Sequence, residues 1–399
     1  MRTNYTHFSS PQFRILSDEQ IEELHLATLQ ILEQAGISFE CQEAIDILGD
    51  AGADVSNHDS VKIPSHLVEQ ALRTAPKMII LYTREGEPAI VLNGHTGAHF
   101  GSKVDLPDIL DPNTGNRRGS YIEDIADMSR VIDALPNIEW AYTSTGHPTV
   151  PAEIADKVTL LQVLLNSSKP VVCEVNDAFS LGEMIKLCSI VAGGEAELRK
   201  KPFFGASVEP VTPLVNGKDA MEKSLLCAEK GIPVVVYSMP MAGTTTPATF
   251  PGCLAIASAE VLSQLVVLQL KYPGAPVIFG SIPSLMDMKT TIFSYGAPEM
   301  SLMTGALTEL CHYYKLPMFG TAGTVEADVI SGQAGAEITY QILISALTGA
   351  DLVHNAGMMY HATMISPELV VFVNEVIDMV KVLTRGMRIN EDTLPLDLI

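Results

Sequence analysis

The chain has 399 residues, of which 47% are hydrophobic and 18% charged, so it can bury a large core in one or two domains. Its formal net charge of −22 argues against partners that are nucleic acids or anionic membranes. The six cysteines are scattered without a CxxC pair, which is typical of reduced thiols. No signal peptide and no unbroken apolar run of 18 residues is evident, so we expect a cytoplasmic protein with no membrane partner.

The first part of the chain carries helical signals. Ser17-Asp18-Glu19-Gln20 resembles a capping box, and apolar residues then recur at helical spacing up to Gly36. Two shorter helices are predicted at about 41–49 and 66–74, followed by two strands at 78–83 and 89–92. We therefore predict that residues 1–95 form an N-terminal helical cap with a small hairpin, and that this region begins with an irregular arm.

From residue 96 onward a strand–helix pattern repeats every 30 to 43 residues. Short apolar runs begin near residues 98, 138, 170, 203, 233, 276, 317 and 351. Helical segments follow them at about 121–134, 153–167, 179–193, 216–230, 252–271, 298–314, 333–348 and 367–385. Eight such units predict an α/β fold, a (β/α)8 TIM barrel over residues 96–399. A doubly wound sheet is the alternative, but the glycine-rich phosphate turn that it needs is missing.

In a barrel of this kind, chemistry is carried at the carboxyl ends of the strands. The candidates at these ends are Phe100, Ser102, Lys103, Tyr142, Ser144, His147, Glu174, Asn176, Glu209, Tyr237, Ser238, Met239, Phe279, Ser281, Thr321, Gly323, His354 and Asn355, with Asp287, Glu326, Tyr360 and His361 in loops. No HExxH or CxxC pattern is present and the histidines are dispersed, so no metal site is predicted. Schiff-base chemistry would depend on Lys103 alone.

The predicted rim combines aromatic rings and methionines with two acids, Glu174 and Glu209. Aromatic faces bind quaternary ammonium groups, and buried carboxylates could balance their charge. The alternative for the rings and methionines is an ordinary core position. His354, within an apolar strand, is equally compatible with a hydrogen-bonded core histidine and with a substrate partner.

Five segments resemble the trimethylamine methyltransferase family. They are LSDEQIEELHLATLQILEQAGI (16–37), PMAGTTTPAT (240–249), VIFGSIPSLMDMKTTIFSYGAPEMSLM (277–303), GTAGTVEADVISGQAG (320–335) and ADLVHNAGMM (350–359). The resemblance extends over essentially the whole chain. It implies a barrel that passes a methyl group from a methylamine to the Co(I) of a corrinoid protein. Family members continue past the equivalent of Ile399, so the resemblance also implies that a C-terminal tail is lacking.

Trimethylamine enzymes of this family carry pyrrolysine near the segment matched by 320–335, whereas here no pyrrolysine is present and no lysine occurs from Pro317 to Tyr340. The chain is therefore similar to the non-pyrrolysine branch, which includes glycine betaine methyltransferases. A quaternary nitrogen leaves without a general acid. The reaction implied is methyl transfer from glycine betaine to Co(I) of cobalamin on a cognate corrinoid protein, giving dimethylglycine and methyl-Co(III).

The resemblance locates the site, and strand-end position suggests the roles. Phe100, Tyr142, Phe279 and Tyr360 are the expected aromatic cage, and Glu174 and Glu209 are expected to balance the ammonium. His354 and Asn355 are expected to hold the substrate carboxylate, with Lys103 as a second choice. The corrinoid is expected to contact the small and polar residues Ser238, Met239, Thr244, Thr321 and Gly323.

Three alternatives remain open at this point. The barrel could be a non-catalytic binding or sensor protein for quaternary amines, or a methyltransferase for proline betaine or carnitine. It could also be a lyase that uses Lys103 as a Schiff base. Apolar helix faces on barrels often pair, so a homo-oligomer is expected.

Overall fold

The computed structural model describes residues 13–94, 97–145, 149–387, 389 and 393–394. The start of the predicted N-terminal arm, His147 and most of the last twelve residues lie outside the described residues.

Eight parallel strands form a closed barrel. They are β1 (His99–Lys103), β2 (Trp140–Thr143), β3 (Val171–Glu174), β4 (Phe204–Val208), β5 (Val234–Ser238), β6 (Val277–Ser281), β7 (Met318–Thr321) and β8 (Leu352–His354). Each strand pairs with the next one along the chain, and β8 closes the barrel against β1. The predicted (β/α)8 barrel is confirmed.

The strands form where β-branched and aromatic residues are consecutive. In β5, VVVYS, all five residues are buried, because its inner face contributes to the barrel core and its outer face packs on helices. The pairing register joins Val236 to Phe279 and Tyr237 to Gly280. Residues paired in this way lie on the same face, so the register shows which side chains share the barrel interior.

Twelve α-helices accompany the strands in the described part of the chain. They are α1 (Asp18–Gln30), α2 (Gln42–Asp50), α3 (Ser65–Thr74), α4 (Ile122–Ala134), α5 (Ala152–Asn166), α6 (Ala178–Ala192), α7 (Glu195–Lys200), α8 (Lys218–Lys230), α9 (Phe250–Lys271), α10 (Pro298–Tyr314), α11 (Gly332–Thr348) and α12 (Pro367–Thr384). The capping box at Ser17 is present, and a π-helical turn, Ile31–Ala35, extends α1. The short helix α7 was not predicted.

The helices that precede the barrel pack on its outside. Both α1 and α3 contact α9, and the predicted hairpin is formed by Ile79–Tyr82 and Pro88–Leu92. A further strand pair, which the sequence did not predict, joins Ser38–Phe39 to Val215–Asn216 beyond β4. The cap therefore contacts a loop at the carboxyl end of the barrel. The division into two domains at residue 95 stays a prediction.

Helix α9 is apolar along its whole length. By length and hydropathy it could cross a membrane, but 89% of its most apolar window is buried inside the protein. It packs between α1 and α3 on one side and strands β5 and β6 on the other. It is therefore the core helix that joins the cap to the barrel.

Short strands in the loops build a wall around the carboxyl end of the barrel. Asp108–Leu110 pairs with Arg117–Gly119 and with Met364–Ile365, which in turn pairs with Met358–Met359. Met241–Ala242 pairs with Ser284–Leu285. The loops that follow β1, β5, β6 and β8 are thereby held in place around one opening.

Candidate functional site

Two glycines show which positions along the strands face the barrel interior. A Cβ on Gly101 would lie 2.3 Å from the Trp140 ring, and a Cβ on Gly280 would lie 2.7 Å from Cβ of Tyr237. Both glycines leave room for aromatic side chains that point inward. Lys103 lies two residues after Gly101, and side chains alternate along a strand, so it points inward as well.

Three predicted site residues point the other way. Phe279 precedes the inward-facing Gly280, and its ring lies 6.0 Å from that of Tyr314 on α10. Ser238 lies against Glu260 of α9, and its hydroxyl is 3.3 Å from that of Ser281. Phe100 precedes the inward-facing Gly101 and is buried on the outer face by the same alternation. The expectation that Phe100 and Phe279 form the cage, and that Ser238 contacts the corrinoid, is therefore corrected.

The rings that do meet inside the barrel form one cluster. Tyr142 lies 5.0 Å from the ring of His354, and Tyr237 lies 5.2 Å from the ring of Phe319. The imidazole of His354 stacks on Phe319 at 4.4 Å, and Trp140 closes the cluster at 6.2 Å from Phe319. Of the four predicted cage residues, only Tyr142 belongs to this cluster.

His354 is a neutral member of the cluster. Its Nδ1 lies 2.7 Å from the carbonyl oxygen of Gly320, which can only accept, so we assign the ring proton to Nδ1. Burial lowers the pKa of His354 to about 3, so the ring is uncharged at neutral pH and Nε2 has only a lone pair to offer. A carboxylate also only accepts hydrogen bonds. The expectation that His354 holds a substrate carboxylate is therefore contradicted.

The two tyrosines are linked by their hydroxyls. The Tyr142 hydroxyl lies 3.0 Å from that of Ser207 and 3.2 Å from that of Tyr237, which donates a hydrogen bond to Glu209. Burial raises the pKa of both phenols well above its usual value, so both remain protonated. The pair therefore connects the barrel interior to a carboxylate at its mouth.

Glu174 and Glu209 line one cavity of about 700 Å³ at the carboxyl ends of β3 and β4. The sequence predicted two buried carboxylates, but Glu209 is accessible to solvent and the side chain of Glu174 is 23% exposed. Protein nevertheless surrounds the Glu209 carboxyl on most sides, and this burial raises its pKa, while the Tyr237 hydrogen bond opposes the rise. The cavity also receives Glu40 from the cap and Asp219 from α8, so acids predominate around it.

Lys103 lies between these carboxylates and the tyrosines. Its ammonium donates to Glu174 at 3.0 Å and to the hydroxyl of Ser144 at 2.9 Å, and it lies 5.1 Å from the centre of the Tyr142 ring. A lysine ammonium has three N–H donors, so among the described residues one is left without an acceptor. Its side chain is 12% exposed.

Asp105 is a site residue that the sequence reasoning missed. It is 2% exposed, and its Oδ1 accepts a hydrogen bond of 2.8 Å from the backbone N–H of Ser144. Its Oδ2 is buried and has no hydrogen-bond partner among the described residues. Burial raises the pKa of Asp105 to about 7, although the charge of Lys103 opposes the rise. The signal available in the sequence was its position two residues beyond the inward-facing Lys103.

Thr321 and Asn355 meet where β7 and β8 end. The Asn355 amide nitrogen donates to the Thr321 hydroxyl at 3.2 Å, while its Oδ1 is buried with no partner in the described part of the chain. Asn355 has a φ of 73°, a left-handed conformation that asparagine tolerates better than most residues. Gly323 has a φ of 80° and donates its N–H to Gln341 of α11 at 3.0 Å. A Cβ on Gly323 would contact Ile342, so it lies under the helices rather than at the opening.

The remaining candidates lie in the surrounding loops. Met239 is half-buried just after β5, and Thr244 is exposed with its hydroxyl 3.7 Å from the sulfur of Met286. Tyr360 stacks under the guanidinium of Arg117 at 4.4 Å and takes no part in the barrel's aromatic cluster. Sequence reasoning also did not single out Ser207 and Phe319, whose inward direction depends on strand register.

Comparisons with known proteins agree with this architecture. The family model for trimethylamine methyltransferase (MTTB) matches residues 2–399. The chain is 33% identical to a trimethylamine methyltransferase MttB of Desulfitobacterium hafniense over 96% of this chain and 77% of that protein. It is 29% identical to a glycine betaine methyltransferase of another strain of that species, over 98% of this chain and 81% of that protein.

A solved structure supports the fold. The crystal structure of the Methanosarcina barkeri monomethylamine methyltransferase (MtmB) superposes with a TM-score of 0.60 at 12% identity, over 97% of this chain and 78% of that one. With a matching family model and relatives at this level of identity, the chain belongs to the trimethylamine methyltransferase family.

Proposed function

We propose that this protein transfers a methyl group from glycine betaine to the Co(I) of a corrinoid carried by a partner protein, giving dimethylglycine and methyl-Co(III). The observation that supports this choice is the mixed charge of the barrel mouth. Glu174 and Glu209 line one cavity, and the ammonium of Lys103 is bound to Glu174 with one N–H unpaired among the described residues. A zwitterion with a quaternary nitrogen and a carboxylate matches both charges.

The site offers more groups to bind the ammonium of glycine betaine than to bind its carboxylate. A quaternary ammonium has no N–H to donate, so it is held by carboxylate charge and by aromatic faces. Glu209 is accessible to solvent, and the phenol of Tyr237 holds it in place. Tyr142 and Tyr237 are buried behind it in the barrel interior and do not line the cavity. The carboxylates of Glu209 and Glu174 would therefore hold the trimethylammonium group, with its N-methyl carbons in the opening.

The carboxylate end depends on Lys103 in this proposal. Since His354 offers no donor, Lys103 replaces it as the group that binds the substrate carboxylate. A simple amine cation would compete with Lys103 for Glu174 and would leave the third N–H of Lys103 without a carboxylate. This is the structural reason for choosing glycine betaine over trimethylamine, although relatives of both names have similar sequence identity.

The methyl transfer requires few catalytic groups from the protein. The quaternary nitrogen carries its positive charge before the reaction and keeps the electron pair of the broken C–N bond, so no side chain has to donate a proton in that step. The residues orient the N-methyl carbon, exclude water and balance charge, and much of the rate enhancement in such a site comes from positioning. The corrinoid, as the second substrate, supplies the nucleophile.

A partner protein is supported by the loops around the mouth. Val211, Met288 and Val329 follow β4, β6 and β7, and they are 61%, 81% and 53% exposed. Apolar side chains exposed in three loops at the carboxyl end of the barrel favour a docking surface. We propose that the cognate corrinoid protein binds there and that Met239, Thr244 and Thr321 belong to the segments that face it.

The test is methyl transfer to cob(I)alamin, followed by the absorbance change to methylcob(III)alamin, with glycine betaine, proline betaine, carnitine and trimethylamine as donors. Turnover with glycine betaine and not with trimethylamine is expected. Binding of glycine betaine without methyl transfer to cobalamin, or to the cognate corrinoid protein, would favour a binding or sensor protein. Turnover with trimethylamine alone would refute the assignment.

The same proposal includes a cytoplasmic homo-oligomer. Phe179 and Ile190 on α6 and Leu165 on α5 are 76%, 78% and 66% exposed, an apolar surface that a second copy would cover. Light scattering coupled to size-exclusion chromatography would measure the oligomeric state. A monomer at micromolar concentration would refute this part.

A further inference from the structure

A buried acid lies behind the lysine of the barrel mouth. Asp105 is two residues beyond Lys103 and is 2% exposed. Its Oδ1 accepts the N–H of Ser144, and the hydroxyl of Ser144 accepts a hydrogen bond from Lys103 at 2.9 Å. Asp105 therefore holds Ser144 in place, and Ser144 in turn holds the ammonium of Lys103.

The second oxygen of Asp105 has no partner. Its Oδ2 is buried, and no described donor reaches it. A buried carboxylate oxygen without a hydrogen bond is costly, and the cost falls when the group takes up a proton and loses its charge. The local geometry therefore favours uptake of a proton by Asp105.

The groups that face Asp105 decide which state prevails. Lys103 at the end of β1 favours the carboxylate, while Glu174 on β3 disfavours it. The thiol of Cys173, also on β3, is buried nearby, and burial raises its pKa well above the usual value, so it is uncharged near neutral pH. The charge of Asp156 on α5 raises the pKa of Cys173 further. Lys103 is thus the only cation that opposes protonation of Asp105 among the described residues facing it.

We propose that Asp105 is a positioning residue for substrate carboxylates, and that it takes up a proton when an anionic group binds to Lys103. The inference rests on the proposed function, since it assumes a carboxylate at Lys103. A bound carboxylate adds a negative charge to the cluster and competes for the lysine charge that stabilises ionised Asp105. The proton comes from solvent, and no bond is made or broken in the substrate.

The expected size follows from the resting state of the acid. With a pKa of about 7, Asp105 is about half protonated at pH 7, so glycine betaine binding takes up at most about half a proton there. Because the bound state holds more protons, affinity for glycine betaine falls as pH rises through 7. At pH 5 the acid is already protonated, and uptake approaches zero.

The test is titration calorimetry of the purified protein with glycine betaine at pH 7, in two buffers with different ionisation enthalpies. Proton uptake is expected with glycine betaine but not with tetramethylammonium, which has no carboxylate. Asp105→Asn keeps an acceptor for Ser144 and should abolish the uptake, and Asp105→Glu should restore part of it. Glu260→Gln, which changes another buried acid whose pKa is about 7, should leave the uptake unchanged.

The outcomes distinguish a failure of the inference about Asp105 from a failure of the proposed function. Binding of glycine betaine without proton uptake, or uptake that persists in Asp105→Asn, would overturn the inference and leave the proposed function standing. No detectable binding of glycine betaine would refute the proposed function, and the inference with it.

Discussion

Removing the charge of Lys103 should have opposite effects on two ligands. In Lys103→Met the substrate carboxylate loses a charge-assisted hydrogen bond, which is worth about 2 kcal/mol in a site where the lysine side chain is only 12% exposed. That loss corresponds to a roughly 30-fold weaker affinity for glycine betaine. The same change leaves Glu174 without its partner at 3.0 Å, so tetramethylammonium should bind more tightly than to the unsubstituted protein.

The assay is titration calorimetry with both ligands on Lys103→Met, Lys103→Arg and Lys218→Met. Lys103→Arg keeps the charge and should retain most of the glycine betaine affinity. Lys218 lines the rim of the same cavity and pairs with Glu222 at 3.7 Å, so its removal tests for a general effect of losing a lysine. Partial misfolding would weaken both ligands together. Unchanged glycine betaine affinity in Lys103→Met would refute the assignment of the carboxylate to Lys103.

Three further changes test the site and the fold. Glu209→Gln should remove the loss of tetramethylammonium affinity on acidification, because a carboxyl with a raised pKa takes up its proton early as pH falls; calorimetry from pH 8 to pH 5 measures this. Gly101→Ala should lower the free energy of unfolding in urea by about 1–3 kcal/mol, since its Cβ would overlap the Trp140 ring, whereas Gly182→Ala, with open space in α6, should raise it by up to about 1 kcal/mol. Burial raises the pKa of Glu260 to about 7, so its contribution to the free energy of unfolding is lost as pH rises through 7. Between pH 5 and pH 8, the free energy of unfolding should therefore fall by about 2 kcal/mol less in Glu260→Gln than in the unsubstituted protein.

The barrel could be predicted because its strands are buried on both faces. Such strands appear as short continuous apolar runs, and eight of them at similar spacing leave few other architectures. The run PVVVY became β5, and the helix predicted at 252–271 begins two residues earlier, at Phe250, in α9. The six-residue helix α7 was missed because so short a segment has too few turns to show periodicity.

Because the strands are buried on both faces, the sequence alone does not show which of their side chains point into the barrel. In a strand with one wet face, polar residues show which positions point outward, but β1, β5 and β6 offer no such contrast. Phe100 and Phe279 were therefore placed inside when both point outward. The glycines beside them, Gly101 and Gly280, mark the inward positions, but only the strand register shows which aromatic ring occupies the space.

The electrostatics of the site depend on contacts that no local pattern reveals. Lys103 and Glu174 are 71 residues apart and meet because β1, β2 and β3 are neighbours in the barrel. Whether His354 can donate depends on the carbonyl of Gly320, on the adjacent strand. Sequence position alone could place these residues at strand ends, but could not assign donors and acceptors.

The balance of charge at the mouth sets what it can select. Lys103 is matched by Glu174 before any ligand arrives, and Glu209 remains as an accessible negative charge. An anion without an ammonium group would meet Glu209, whose charge Lys223 offsets only in part, and a simple ammonium would gain Glu209 but meet Lys103. A zwitterion satisfies both, and protonation of Asp105 would remove the remaining repulsion against its carboxylate. Selectivity for a betaine would then come from the pairing of one lysine with a buried acid that changes charge, rather than from the shape of an aromatic cage.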